Sequence, residues 1–325
     1  MNSEIETAMK VFFPYAWERL CKLQISGAKL VHYCSAETAL SIIQKKRVWM
    51  RNASMMNDYS EIQYGLHHFF QCWNSPEISN RLQNVLKTLG DDCYEDLSGR
   101  VSNLSEYIKN RFYITCLCEQ FHADEDNRAS LISCGRLSMW RAYGGQTNVA
   151  LILNTDVFSS DSAAISAFST PVLYGGPIEL CEEFKRLCDT LESNLDYLKD
   201  LGSIQVVSYL INAFVFSVIS LKHPGFSEER EWRVVFIEDI NNKSRIICDI
   251  ESICGTPQKI YKIPLEDLPG EGLTGMKVAS LVHEVLIGPV NHSEIVEDAI
   301  TLALDKAGML DAKSKVRRST IPFRR

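Results

Sequence analysis

The chain has 325 residues, of which 46% are hydrophobic and 23% are charged, and its formal net charge is −7. These are ordinary values for a soluble globular protein, and the length allows a sizeable core, as one large domain or two modest ones. The negative charge argues against a protein that coats nucleic acid over its whole surface.

The cysteines and the N-terminal sequence together indicate the cellular compartment in which the protein is expected. Eleven cysteines are present, and no two of them form a Cys-x-x-Cys pair, which argues against a structural zinc site. The N-terminus, MNSEIETAMK, is polar and acidic and does not have the pattern of a signal peptide. The sequence therefore predicts a cytoplasmic protein with mostly free, buried thiols.

One apolar run, residues 204–221, is long enough to be considered as a membrane span. The run is only just long enough, and it contains Gln205, Asn212 and several serines. These polar residues favour a buried helix in a protein core, so we expect no association with a membrane.

The first part of the chain is predicted to alternate between helices and short strands. Residues 1–27 carry a rough apolar stripe typical of a helix, and the strand predicted at 29–34 contains His32. Ser35 is in position to cap the helix that follows. A basic turn then leads to a second short strand at 48–50.

A polar box of residues 57–61, NDYSE, is predicted to open the next helix. Asp58 or Asn57 at the helix start, with Glu61 shortly after it, resembles a capping arrangement. Capping alone would account for Asp58 and Glu61, so a role in binding is an alternative of equal weight.

The middle of the chain contains two apolar strands and three helices. The strands are predicted at 112–118 and 149–153, and a short helix at 137–143 lies between them. Longer helices are predicted at 180–202 and 204–222.

The rest of the chain is predicted to be mostly strands. Because helices and strands do not alternate regularly, the sequence indicates an α+β fold rather than a doubly wound parallel sheet. We expect a helix at 1–28 and one domain at 29–325 with helical insertions at about 65–110 and 180–222. The predicted strands are 231–237, 244–249, 259–263 and 282–287, and a helix is predicted at 292–308.

The most informative stretch is Lys222–Phe236, KHPGFSEEREWRVVF. Because side chains alternate between the faces of a strand, Glu229, Glu231 and Arg233 are predicted to share one face. Two carboxylates so close together raise each other's pKa unless a cation or a ligand hydroxyl lies between them. A surface strand with ion pairs would also produce this pattern.

Seven segments of the chain follow one another in a recognisable order: HYCSAETALSII, MNDYSE, ITCLCEQ, LSMWRAYGG, EREWRVVF, VLIGP and STIPFRR. Together they resemble a bacterial family called domain of unknown function 2971, and the resemblance covers residues 29–325.

The chain also resembles ADP-ribosyltransferases, less closely, in a strand with His32 and in a late Glu-x-Glu strand, Glu229 to Glu231. That resemblance implies a split of two small mixed β-sheets flanked by helices, with NAD bound as a substrate between them. It also implies cleavage of the nicotinamide–ribose bond and transfer of ADP-ribose to a macromolecule or water, as in a bacterial toxin or a phage-defence effector.

The same resemblance implies roles for the catalytic residues. Glu231 would bond the ribose 2′-hydroxyl and stabilise the oxocarbenium-like centre, as the carboxylates of glycosidases do. Glu229 would orient or deprotonate the acceptor, and Arg233 would hold a phosphate or carboxylate. His32, assisted by Ser35, would hydrogen-bond the ribose or diphosphate.

The remaining candidate residues would enclose the nucleotide. Tyr143 would stack on nicotinamide, with Trp140 as the wall beside it and Tyr33 as a further contact. Asn57, Asp58 and Glu61 would close the cleft. Simple packing would account equally for His32, Tyr33 and Trp140.

Two other functions fit the sequence. The basic C-terminal tail and the carboxylates of Asp58, Glu61, Glu229 and Glu231 could belong to a metal-dependent nuclease or a phosphate-binding module. A catalytically inactive sensor could bind a nucleotide and signal to a partner protein in a defence system. Dependence on a metal would separate the nuclease from the transferase.

Overall fold

The computed structural model has the α+β architecture expected from the sequence. It describes residues 3–55, 59–120, 134–160, 162, 164–238, 244–253 and 255–322. Its α-helices are α1 (Ser3–Phe12), α2 (Pro14–Ser26), α3 (Ala36–Lys45), α4 (Tyr59–Trp73), α5 (Pro76–Lys87), α6 (Cys93–Ser102), α7 (Leu104–Arg111), α8 (Leu137–Tyr143), α9 (Pro177–Glu192), α10 (Leu195–Leu201), α11 (Ser203–Ile219), α12 (Val278–Leu281) and α13 (Ser293–Lys306).

The strands include all those predicted from the sequence, with small changes of boundary, and several that were missed. They are β1 (Leu30–Ser35), β2 (Arg47–Asn52), β3 (Phe112–Glu119), β4 (Asn148–Leu153), β5 (Ala167–Pro171), β6 (Leu173–Tyr174), β7 (Leu221–Lys222), β8 (Glu231–Ile237), β9 (Ile247–Ile253), β10 (Thr256–Pro264), β11 (Val282–Ile287) and β12 (Val316–Arg318).

The described strands form one branched ten-stranded sheet and a two-stranded sheet of β6 and β7, where the sequence predicted two small mixed sheets. The order in the large sheet is β12-β11-β4-β1-β3-β2-β10-β9, and β8 pairs with both β3 and β5. Neighbours are antiparallel except for β11 with β12.

β3 has three partner strands, and this creates a gap in the sheet. One edge of β3 pairs with β8 along its length, from Phe112 to Cys118. On the other edge, β1 pairs with Cys118 and Glu119, whereas β2 pairs with Tyr113 and Ile114. β1 and β2 therefore diverge beside the middle of β3, and the sheet is open there.

Hydrophobic cores cover both faces of the sheet. The first core joins α4–α7 with α9 and α11, and it receives Phe112 and Ile114 of β3. The second core contains Tyr113 and Leu117, which point to the opposite face because side chains alternate along a strand. The helices within residues 59–111 and 177–219 thus contribute to one core on one face of the sheet.

Two expectations about helices need correction or qualification. The predicted helix at 1–27 is two helices, because Pro14 lacks an amide proton and begins α2. In the described part of the chain, no single helix is long and apolar enough to cross a membrane, and α10 and α11 meet the test only as a pair bent by 110°.

The expectation of mostly free thiols agrees with the described cysteines, although one pair is oxidised. Cys72 on α4 and Cys181 on α9 form a disulfide between residues 109 apart in sequence. The free thiols include Cys21, Cys34, Cys93, Cys116, Cys118, Cys188 and Cys248.

Gly65 allows α4 to approach α11 closely, and we expect Gly65→Ala to destabilise the protein by about 2–3 kcal/mol. A Cβ atom at this position would lie 2.1 Å from the carbonyl oxygen of Val218. Gly99, inside α6, is the matched control because a Cβ there has nothing within 4 Å. Gly99→Ala should stabilise by about 0.5–1 kcal/mol. Urea denaturation measures both, and equal effects would contradict the close approach.

Candidate functional site

A deep cleft lies on the face of the sheet where β1 and β2 diverge. Its volume is about 820 Å³, which is within the usual range for small-molecule sites. Strands β1, β2, β3 and β8 contribute to its lining, as do α3 and α4. Of the residues predicted from the sequence, His32, Tyr33, Glu61, Tyr143, Glu229, Glu231 and Arg233 line this cleft.

At the bottom of the cleft is a buried group of charges, the floor cluster, which consists of Glu61, Lys222, Glu229, Glu231 and Arg233. The amine of Lys222 lies between the three carboxylates, 2.9 Å from Glu61 Oε1, 2.7 Å from Glu229 Oε2 and 3.0 Å from Glu231 Oε2. Lys222 is therefore the cation that allows the carboxylates to be close together.

Arg233 holds the opposite side of the floor cluster. Its Nε donates to Glu231 Oε1 at 2.8 Å, and its Nη2 pairs with Glu61. Nη1 donates to the carbonyl of Ile219 at the end of α11. Both oxygens of Glu231 are thus held by cations, whereas Lys222 is the only cation of the cluster in ion-pair contact with Glu229.

Glu229 is part of the floor cluster, but the backbone that positions it differs from the prediction. It was expected on the same strand as Glu231, but it ends a short 3₁₀ helix, Pro224–Glu229. Arg230 follows with a φ of 46°, a left-handed turn that starts β8 at Glu231. The alternation along the strand therefore holds for Glu231 and Arg233, and the turn brings Glu229 to Lys222.

The carboxylates of the floor cluster differ in their affinity for protons. Burial opposes ionisation of Glu231, but Arg233 and Lys222 outweigh this effect and lower its pKa to about 2. For Glu229, burial dominates and raises the pKa above its usual value despite the hydrogen bond from Lys222. Glu229 is thus better suited than Glu231 to exchange a proton near neutral pH.

His32 lies in the gap between β1 and β2. Its Nδ1 is 3.0 Å from the carbonyl oxygen of Cys116, in the middle of β3. Burial lowers the pKa of His32, which favours the neutral imidazole. Because a carbonyl only accepts, Nδ1 carries the proton, and Nε2 is then an acceptor.

The predicted aromatic residues have different positions. Tyr143 lines the cleft and is 39% exposed. Tyr33 also lines it, and its hydroxyl accepts from the amide of Arg136 at 3.1 Å. Trp140 is 2% exposed, packs edge-on against Tyr33 with ring centres 4.7 Å apart, and donates to the carbonyl of Cys134. Trp140 therefore packs behind Tyr33 and does not itself line the cleft.

Ser35 is not among the residues that line the cleft. Ser35 caps α3, accepting from the amide of Thr38 at 3.1 Å. The capping prediction is therefore confirmed for Ser35. Asn57 and Asp58 lie outside the described residues.

Part of the chain matches a known protein family. Residues 139–234 match a family described as "Protein of unknown function (DUF2971)". The match supports the relationship with that family, and it contains Tyr143, Lys222, Glu229, Glu231 and Arg233. No curated protein and no solved structure matches the chain, and the resemblance to ADP-ribosyltransferases has no support from these comparisons.

A group of cations that was not predicted from the sequence lies outside the matched DUF2971 region. Lys45, Arg47 and Arg51 line the cleft, and we call them the rim cations. Among the described residues none of them forms an ion pair with a carboxylate. The alternation of Arg47, Trp49 and Arg51 along β2 was the signal that could have revealed a cationic strand face.

The residues that the structure describes do not include a group of His, Cys, Asp or Glu side chains arranged to hold a metal ion. The three carboxylates of the floor cluster instead surround Lys222. The cleft thus combines a buried floor of mixed charge, a neutral histidine and a cationic rim.

Proposed function

We propose that the cleft binds a nucleotide of the NAD type and cleaves its nicotinamide–ribose bond, transferring ADP-ribose to a macromolecule or to water. The observation that carries this proposal is the opposite charge of the floor cluster and the rim cations. NAD has the matching pattern, with a cationic pyridinium at one end and an anionic diphosphate in the middle.

The floor cluster suits the cationic part of such a ligand. Its three carboxylates and two cations leave a formal charge of −1 when all are ionised. A negative charge held in a poorly solvated site stabilises the positive charge that develops on the ribose as nicotinamide leaves.

The rim cations suit the anionic part. Arg47 and Arg51 can each bind a phosphate through a planar pair of donors, and Lys45 adds a point charge. Trp49, between the two arginines on β2, also lines the cleft and offers an aromatic ring for a base.

Within the floor cluster, the contacts favour Glu229 as the carboxylate that acts on the ligand. Both oxygens of Glu231 are held by Lys222 and Arg233, so we assign Glu231 the role of positioning these cations. As the C1′–N bond breaks, its electron pair goes to the nicotinamide ring. The acceptor hydroxyl then bonds to C1′, and its proton goes to Glu229.

The test is incubation of the purified protein with NAD, with free nicotinamide measured by chromatography. We expect release of nicotinamide with or without a chelator, because the carboxylates of the floor cluster are paired with Lys222 and Arg233. ADP, which keeps the diphosphate, should inhibit the release competitively.

The other outcomes identify the alternatives. Binding of NAD without any release would overturn the cleavage and support the nucleotide sensor. Release that stops in the chelator would overturn the roles assigned to Glu229 and Glu231. Failure to bind NAD or ADP at all would remove the nucleotide from the proposal.

A further inference from the structure

A second cavity lies on the opposite face of the sheet from the floor cluster, and we call it the apolar chamber. Its volume is about 130 Å³. Leu117 and Val234 line it, whereas their chain neighbours Cys116 and Arg233 line the cleft. The two cavities are therefore on the two sides of β3 and β8.

The lining of the chamber is mainly aliphatic. Leu151, Leu153, Leu265, Leu281 and Val282 contribute to it from the second core. Tightly packed interiors contain few voids larger than a water molecule. Apolar cavities of about 150 Å³ stay dry and bind molecules such as benzene, so the chamber has the size and chemistry to hold a group of that kind.

The chamber adjoins the cleft at the gap in the sheet. His32, Ile42, Val48 and Thr115 line both spaces. These residues come from β1, α3, β2 and β3, which surround the gap where β1 and β2 diverge. The two spaces therefore share a boundary at these four residues.

We propose that the chamber binds a benzene-sized apolar group belonging to a molecule whose polar part lies in the cleft. The aliphatic lining recognises the apolar group, and the negative floor cluster favours a polar part with a positive charge. This assignment goes beyond the cleavage of NAD and does not depend on it.

The first test uses fluorobenzene as a probe of the chamber, with binding followed by fluorine NMR in the absence of nucleotide. Ala167 lines the chamber, so Ala167→Leu fills part of it. We expect binding to the unaltered protein and a loss of affinity of about tenfold or more in this variant. Ala299→Leu, at an exposed position on α13, is the matched control and should bind normally.

Two outcomes of the fluorobenzene experiment would contradict the proposal. No binding of fluorobenzene, or equal binding by Ala167→Leu, would overturn the assignment of the chamber. If Ala167→Leu does not fold, Ser169→Leu fills the same space and takes its place.

The second test asks whether one molecule can occupy both spaces, and it compares 4-phenylbutylammonium with 4-phenylbutan-1-ol. The two probes have the same ring and chain, and they differ in the charge that reaches the floor cluster. We expect the cation to bind about tenfold more tightly, and Glu229→Gln to abolish the difference. Equal affinity of the two probes for the unaltered protein would overturn the link between chamber and cleft.

Discussion

Glu229→Gln is expected to lower the rate of nicotinamide release about 100-fold or more. The substitution removes the negative charge of the floor cluster that faces the ligand, and it removes the group that accepts the proton. Glutamine keeps the size of the side chain and an oxygen that can accept from Lys222. The loss should therefore appear in kcat more than in the affinity for NAD. The measurement is the steady-state release of nicotinamide.

Glu228→Gln is the matched control, because Glu228 is the preceding residue and is exposed. It should release nicotinamide at the normal rate. The pH dependence adds a second readout: since burial raises the pKa of Glu229, the rate should fall with decreasing pH at values above the ordinary range of a glutamate. A Glu229→Gln variant with the normal rate would show that the acting carboxylate is a different one.

Lys222→Met is expected to lower the free energy of unfolding by about 3–5 kcal/mol at pH 7. The side chain of Lys222 is only 5% exposed, and its amine contacts three carboxylates. Methionine fills a similar space but leaves those carboxylates close together in a buried site without their shared cation. Urea denaturation is the suitable measurement, because a salt denaturant would screen the charges.

Two comparisons check this cause. Lys185→Met removes a partly exposed lysine whose carboxylate partners, Glu77 and Glu182, are exposed, and it should leave the urea midpoint unchanged. Adding Glu229→Gln to Lys222→Met should recover part of the stability, because one buried charge is removed. If the double variant is no more stable than Lys222→Met, the loss comes from packing rather than from charge.

The floor cluster also gives stability a dependence on pH. The pKa of Glu231 in the folded protein is about 2, below that of the unfolded chain. Its contribution is therefore fully present above the ordinary glutamate range, and it is lost as pH falls from about 4.5 towards 2. Lys222→Met removes one of the two cations that lower the pKa of Glu231. The free energy of unfolding that is lost between pH 4.5 and 2 should therefore be smaller in this variant.

The sequence predicted the local features of the site well. The boundaries of β8 and β11 follow from continuous apolar runs, and the same-face position of Glu231 and Arg233 follows from alternation along a strand. The close pair of carboxylates also has a cation between them, as one of the two predicted possibilities required. The cation itself, Lys222, was not identified because it lies on a different strand, and strand pairing is a long-range property.

Other features depended on geometry that local patterns do not contain. The turn at Arg230 carries no glycine or proline of its own, so the change of direction before Glu231 had no sequence signal. The branching at β3 depends on which strands pair with it, and short strands such as β5 and β12 have weak patterns. Arg47 and Arg51 of the rim could have been noticed on β2, but only the divergence of β1 and β2 makes that face part of a cleft.

The branching at β3 also has a consequence for backbone hydrogen exchange. In an antiparallel strand, the amide and the carbonyl of one residue point to the same edge. The carbonyl of Cys116 points into the gap, towards His32, so its amide does too, whereas the amides of Thr115 and Leu117 point to β8. We therefore expect exchange at Cys116 to respond to the opening of the gap, and exchange at its neighbours to respond to the separation of β3 from β8.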